Sequence, residues 1–200
     1  KKIASHVEKK IKSELESMLS NDRETYETFY DAYKLSLKYG IYEMFGMNKE
    51  KLQDLIMFET NKSEKPLTLK EYIDRKPEEQ KAIYYATGKT RTRMMNLPQM
   101  EAMLDKDIEV LLCTDDVDEF MFQAMQNYQE LPFKSIQQGA LEDVDKEKKK
   151  EVKKQEKAFK EFTSAIKDVL KDDVKDVHLS ARLTTSPVCI VAGEGVSLEM

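Results

Sequence analysis

The stretch from Lys81 to Ile136 reads KAIYYATGKTRTRMMNLPQMEAMLDKDIEVLLCTDDVDEFMFQAMQNYQELPFKSI. It holds three short β-rich runs: Ala82-Ile83-Tyr84-Tyr85-Ala86, Ile108-Glu109-Val110-Leu111-Leu112 and Phe133-Lys134-Ser135-Ile136. Helical periodicity fills both gaps. The first gap, around 91–104, is broken near Pro98. The second opens on Asp115 and Asp116, which offer caps and first-turn negative charge. It continues in a stripe of Val117, Phe120, Met121, Ala124, Met125 and Tyr128. Strand, helix, strand, helix, strand with short loops implies a small parallel sheet with helices on both faces. The crossovers should be right-handed.

Upstream, Ile3, Val7, Ile11, Leu15, Met18 and Leu19 recur at helical steps. Asn21 and Glu24 have capping-box spacing for a second helix, striped by Tyr26, Phe29, Tyr30, Tyr33 and Leu37. Gly40 is the expected stop of that helix. The two form a helical hairpin. Asn48 can cap a third helix carrying Leu52, Leu55 and Ile56. Thr68 and Glu71 match a second capping box, and Lys76-Pro77 ends the helix it opens.

Downstream, residues 137–148 read as a boundary. The run 146–157 carries seven Lys and three Glu, a solvated helix face. Phe159, Phe162, Ile166, Val169 and Leu170 mark a long helix. Residues 174–179 and 188–192 read as strands. The fold class is therefore α/β, α+β overall: a helical hairpin plus a three-layer αβα parallel-sheet unit over 1–137, then the beginning of an α+β domain over 138–200. Lys1-Lys2-Ile3 opens without Met, and Val196 to Met200 looks like a helix start. Both ends read as internal to a longer protein.

The 200 residues carry 33 basic and 38 acidic side chains, a net charge of −5, with 40% hydrophobic residues. That suffices for a core, and the acidic balance argues against nucleic acid as a partner. No apolar run reaches the roughly 18 residues of a membrane span. Cys113 and Cys189 read as buried, reduced thiols.

The catalytic motifs fall short. Thr87-Gly88-Lys89-Thr90 follows a strand, but a phosphate loop needs a glycine where Ile83 stands. Gly193-Glu194-Gly195 lacks its third glycine, at Leu198. His6 and His178 have no metal-ligand spacing, and no metal is expected. Asp115, Asp116, Asp118 and Glu119 fit a helix N-terminus better than acid/base chemistry. Met94, Met95, Met100, Met103, Met121 and Met125 fit a core or an adaptable binding surface. A small Rossmann-like enzyme domain, with nucleotide at the ends of strands 82–86 and 108–112, is the alternative reading.

Five segments together resemble the Hsp90 chaperone family, its bacterial branch in particular. They are Tyr26 to Gly40 (YETFYDAYKLSLKYG), Leu69-Lys70-Glu71-Tyr72, Ile83 to Gly88 (IYYATG), Ile108 to Phe120 (IEVLLCTDDVDEF) and Val177 to Val191 (VHLSARLTTSPVCIV). The resemblance implies that 1–137 is the distal, smaller part of a middle domain and 138–200 the opening of a C-terminal domain. Its dimerisation helices would follow Met200. One departure is Phe120, where the family usually has Trp or Tyr. Phe keeps the apolar face but loses the polar tip.

The resemblance also implies a function: a cytoplasmic, ATP-dependent, stress-responsive folding chaperone, homodimeric in full length. ATP and Mg would be cofactors of the full-length protein, with none in this segment, which would not be an enzyme alone. Its partners would be unfolded or partly folded clients, a second protomer and co-chaperones of the Hsp70 system, with neither nucleic acid nor membrane. Client-binding residues carried over are Glu119, Phe120, Met121 and Met200. Helical geometry adds Phe122, the exposed aromatic should Phe120 face the core.

Overall fold

The computed structural model describes residues 2–138, 146–180, 183 and 185–192, with the backbone alone for 2, 44, 146–151 and 153. Met200 and the Gly193–Gly195 turn lie outside the described residues.

The hairpin comprises α1 (Lys2–Asn21) and α2 (Arg23–Gly46). Leu15, Met18 and Leu19 tie the end of α1 to the core, whereas Ile3, Val7 and Ile11 are exposed, so the first stripe is buried over its last turns only. The cap between the helices is Asp22, not Asn21: Asp22 Oδ1 accepts from the Thr25 amide at 3.3 Å, while Asn21 remains inside α1 and donates to Ser17. Gly40 does not end α2. It lies mid-helix, where a Cβ would come within 2.9 Å of Leu52. The stop comes at Gly46, at φ +79, a conformation glycine adopts without strain.

Tyr26 and Tyr30 are buried and donate their hydroxyls to the carbonyls of Leu55 and Met57. They pin α2 to a segment that forms little helix. Only α3 (Lys49–Leu52) is helical there, Asn48 makes no side-chain cap, and Leu55 and Ile56 lead instead into a strand. That strand is β1 (Met57–Thr60), paired antiparallel with β2 (Leu67–Thr68). The Thr68–Glu71 capping box forms as its spacing predicts and starts α4 (Leu69–Arg75).

The decisive stretch folds as β3 (Ile83–Thr87), α5 (Arg91–Met95), α6 (Pro98–Asp105), β4 (Leu111–Cys113), α7 (Val117–Met125), β5 (Asn127–Tyr128) and β6 (Leu131–Ser135). β3 pairs parallel with both β4 and β6. The sheet order is β2-β1-β4-β3-β6-β5, and β1 with β2 on one side and β5 on the other add antiparallel pairings that periodicity does not announce. From β3 to β4 the chain crosses by α5 and α6; from β4 it returns past β3 to β6 by α7. Direction and sheet face both reverse, so the two crossovers share one hand.

Alternation along β3 divides two cores. Ile83 and Tyr85 face α2 and α7 with Leu111, Cys113, Met121, Phe122 and Met125. Ala82, Tyr84 and Ala86 face the other layer with Met94, Met100 and Met103. The methionines fill these cores.

Beyond the sheet, α8 (Lys146–Val169) exposes Phe159, Phe162 and Val169. The strand expected over 174–179 is not formed, and of 188–192 only Ala192 bridges, to Gln138. A strand needs a paired neighbour, and none flanks these segments among the described residues. Residues 185–192 instead lie on α6 and the end of β6. Glu101 accepts from the amides and hydroxyls of Thr185 and Ser186, Gln99 donates to Ile190 O, and the Ala192 amide donates to Gln137 O.

Candidate functional site: an aromatic face on α2 and α7

The acidic start of α7 packs on the middle of α2, where Lys38 is buried among carboxylates. Its Nζ donates to Asp115 Oδ2 at 2.7 Å and lies 2.6 Å from Asp118 Oδ1, the latter a charge contact without hydrogen-bond alignment. Lys34 adds a second ammonium, 3.5 Å from Asp115. The Lys38 ammonium also sits over the Phe58 ring, 4.7 Å from its centroid. Asp118 turns its Oδ2 back to accept from the Asp115 amide.

Burial works against the Lys38 ammonium, but Tyr30, Asp118 and Asp115 outweigh it, and the lysine titrates above its ordinary value. Burial also works against charge on Asp115, yet Lys38 and Lys34 hold its carboxyl low. Asp118 is different: burial dominates and raises it. A buried triad of this kind adds little net stability but strongly penalises misalignment. It fixes the register of α7 against α2, and the register decides what α7 shows to solvent.

What it shows is Phe120, 38% exposed, its ring 6.0 Å from that of Tyr42. Tyr39, Tyr42, Asp116, Val117 and Phe120 together line a notch of about 200 Å³. Phe45 and Met47, at the end of α2 and just beyond it, are also exposed apolar residues. Gly46 permits the close approach here, since a Cβ on it would come within 2.6 Å of the Ala124 carbonyl oxygen.

The other residues of the carried-over set are placed differently. Met121 is buried on the core side. Glu119 is also buried, and its Oε1 accepts from Gln138 Nε2 at 2.6 Å, which ties α7 to the chain leaving β6. Phe122, expected to face solvent only should Phe120 face the core, is 1% exposed, stacked on Phe133 and tilted against Tyr85 and Phe58; of the two it is Phe120, from the expected core stripe, that reaches solvent. The core wraps α7 on two sides, α2 and the sheet, so the face opposite the Val117 stripe meets β3 and β6 rather than water. Tyr39, Tyr42 and Lys38 escape a reading centred on the Tyr26–Leu37 stripe. The signal for them was the i,i+3 pair of tyrosines beyond Leu37, together with a lysine inside an otherwise apolar turn.

The carboxyl ends of the parallel strands, where a nucleotide would sit in a doubly wound fold, are filled by Gln137. Its Oε1 accepts from the Thr87 amide at 2.7 Å and its Nε2 donates to Thr87 O. The Gly88 amide is taken by Cys113 O, and Thr90 caps α5. These amides do not turn toward a phosphate. No cluster of potential metal ligands occurs among the described residues. Both cysteines are unbridged; Cys113 is buried, with its thiol pushed up by burial, and Cys189 is partly exposed rather than buried as expected. No helix among the described residues is long and apolar enough to cross a membrane.

Comparison with known proteins agrees with the residue-level resemblance. The family model described as Hsp90 protein matches residues 1–200. Chaperone protein HtpG of Clostridium botulinum (strain 657 / Type Ba4) is 47% identical over 200 residues, covering 100% of this chain and 32% of the relative. Chaperone protein HtpG of Bacillus subtilis (strain 168) is 46% identical with the same coverage, and that of Oceanobacillus iheyensis 42% identical. The chain thus spans about a third of the length of the curated relatives it matches.

Proposed function

Because this chain belongs to the Hsp90 family, we propose that it supplies a client-binding face and a mechanical link within an ATP-dependent chaperone of the bacterial HtpG kind. In this reading residues 1–137 are the distal part of the middle domain and 138–200 begin the C-terminal domain. ATP and Mg act elsewhere in the full-length protein, which works in the cytoplasm as a dimer with co-chaperones.

The observation that carries the reading is Phe120. A large aromatic stands exposed on a helix whose other large apolar side chains are buried, beside a buried ion triad. Partly folded clients expose apolar side chains in no fixed order. A shallow aromatic face takes them weakly and without sequence preference, because it offers area rather than shape. Glu119 and Met121 flank Phe120 in the chain and anchor α7, one to Gln138 and the other in the core. Met200 is a further client-binding residue in this reading, by resemblance alone.

The link is the docking of 185–192 on α6. Glu101 accepts four donors from Thr185 and Ser186, and Ala192 bonds to the chain leaving β6, so a force on that segment reaches the sheet both through α6 and directly.

The test is binding of a permanently unfolded, reduced and carboxymethylated protein by wild type and Phe120→Ala. A contact residue at the centre of such a surface should lose about five- to thirtyfold in affinity, roughly 1–2 kcal/mol, with thermal stability nearly unchanged. Unaltered affinity in Phe120→Ala would place the client surface elsewhere.

A further inference from the structure

The notch beside Phe120 has a chemistry that apolar contact does not use. Three aromatic residues, Tyr39, Tyr42 and Phe120, line it together with Val117 and Asp116, the acidic residue at the start of α7. At about 200 Å³ it is smaller than the roughly 300–1,000 Å³ of a drug-sized ligand site, and suits one side chain. Aromatic faces carry negative potential and attract cations set over them.

The local charge count points the same way. Four carboxylates, Asp115, Asp116, Asp118 and Glu119, stand at the start of α7. Lys38 and Lys34 are taken up by Asp115 and Asp118, and Glu119 is engaged by Gln138. Asp116 is exposed, and its side chain forms no cap on α7. The helix N-terminus contributes about half a positive charge, too little to offset this excess. A single carboxylate among aromatic rings suits an organic cation rather than a metal ion, which needs several ligands.

We propose that the Tyr39–Tyr42–Phe120–Asp116 notch binds the cationic side chain, arginine or lysine, of an unfolded polypeptide whose neighbouring apolar residues lie on the surrounding face. The inference rests on the client-surface reading and names the substrate feature that surface selects. Arginine fits best, because its planar guanidinium stacks on rings while pairing with a carboxylate. Because the notch is open, the interaction is screened by salt.

The experiment compares two short unstructured fluorescent peptides, one with arginine between leucine and phenylalanine, the other with neutral, near-isosteric citrulline in its place. Anisotropy is read with the 200-residue chain, Asp116→Asn, Phe120→Ala and a distant control, Glu24→Gln. The arginine peptide should bind about fivefold tighter to wild type. That ratio should fall to about one in Asp116→Asn and in molar salt, and persist in Glu24→Gln. A ratio near one in wild type, or one unchanged by Asp116→Asn, with both peptides still weakened by Phe120→Ala, overturns the cation site and leaves the client surface standing. If neither peptide binds, or Phe120→Ala weakens neither, both readings fall.

Discussion

Replacing Phe122 by Ala and Phe120 by Ala separates core from surface on a single helix turn. Phe122 is 1% exposed, its ring centroid 4.2 Å from Phe133, 4.8 Å from Tyr85 and 5.4 Å from Phe58. A buried Phe→Ala change costs about 3–5 kcal/mol. The aromatic partners, worth roughly 0.5–1.5 kcal/mol each, put this site at the upper end. At about 2–4 °C per kcal/mol for a chain of this size, Tm should fall by roughly 6–20 °C. Phe120 loses a single tilted pair, with Tyr42 at 6.0 Å, and much of its ring is already in water. Its truncation should cost under about 1 kcal/mol, or a few degrees at most. The assay is thermal and urea unfolding followed by circular dichroism, run beside unfolded-protein binding. Phe122→Ala should lose stability, and Phe120→Ala should lose affinity. Equal loss of stability in the two variants would refute the placement of α7, since its register alone distinguishes the residues.

Lys38→Met should destabilise by about 3–5 kcal/mol, because buried Asp118 then loses its counter-ion and Asp115 keeps only Lys34 at 3.5 Å; the further change Asp118→Asn should recover part of the loss in urea titrations. Glu71 gives a pH dependence: burial would raise its carboxyl, but the Thr68 amide and Arg23 outweigh it and hold it below its ordinary value of 4.5. Its stabilising contribution is therefore complete above the unfolded value and lost as pH falls through the lower folded one, so the Tm gap between wild type and Glu71→Gln should be widest near neutrality and close toward pH 3. Gly46→Ala should be clearly destabilising, by about 1–3 kcal/mol, since φ +79 and the Ala124 carbonyl both oppose a Cβ. Gly40→Ala meets only the mobile tip of Leu52, and comparative melting should show it to be much milder.

The parallel core was legible because strand and helix periods alternate cleanly between Ala82 and Ile136, and because two short crossovers leave few topologies. The Thr68–Glu71 box was legible because both its side chains are local. Contacts made at a distance were not. Gly40 and Gly46 are equally good helix stops by sequence, and the carbonyl of Ala124 decides between them. Asn21 and Asp22 are equally good caps, one residue apart. β1 lacks alternation, with Met57, Phe58 and Thr60 all buried, and so went unannounced, while Leu55 and Ile56 before it read as part of a helix. Strands over 174–179 and 188–192 had the right pattern, but among the described residues only Ala192 finds a partner, Gln138. At the site, the Asp-Glu-aromatic segment was visible, but which of its aromatics faces water was not. That depends on Lys38, whose burial no periodicity indicates, and on the sheet closing over Phe122. The resemblance to Hsp90 supplied the segment; the packing chose the residue.

The most direct measurement is amide and aromatic chemical-shift mapping of the chain titrated with an unfolded polypeptide. Shifts concentrated at Tyr39, Tyr42, Asp116, Val117 and Phe120, with Phe122 and the Thr87–Thr90 turn undisturbed, are the result expected of a client face on α2 and α7. Shifts gathered at Thr87–Thr90 and the strand ends, with Phe120 and Tyr42 silent, would contradict it.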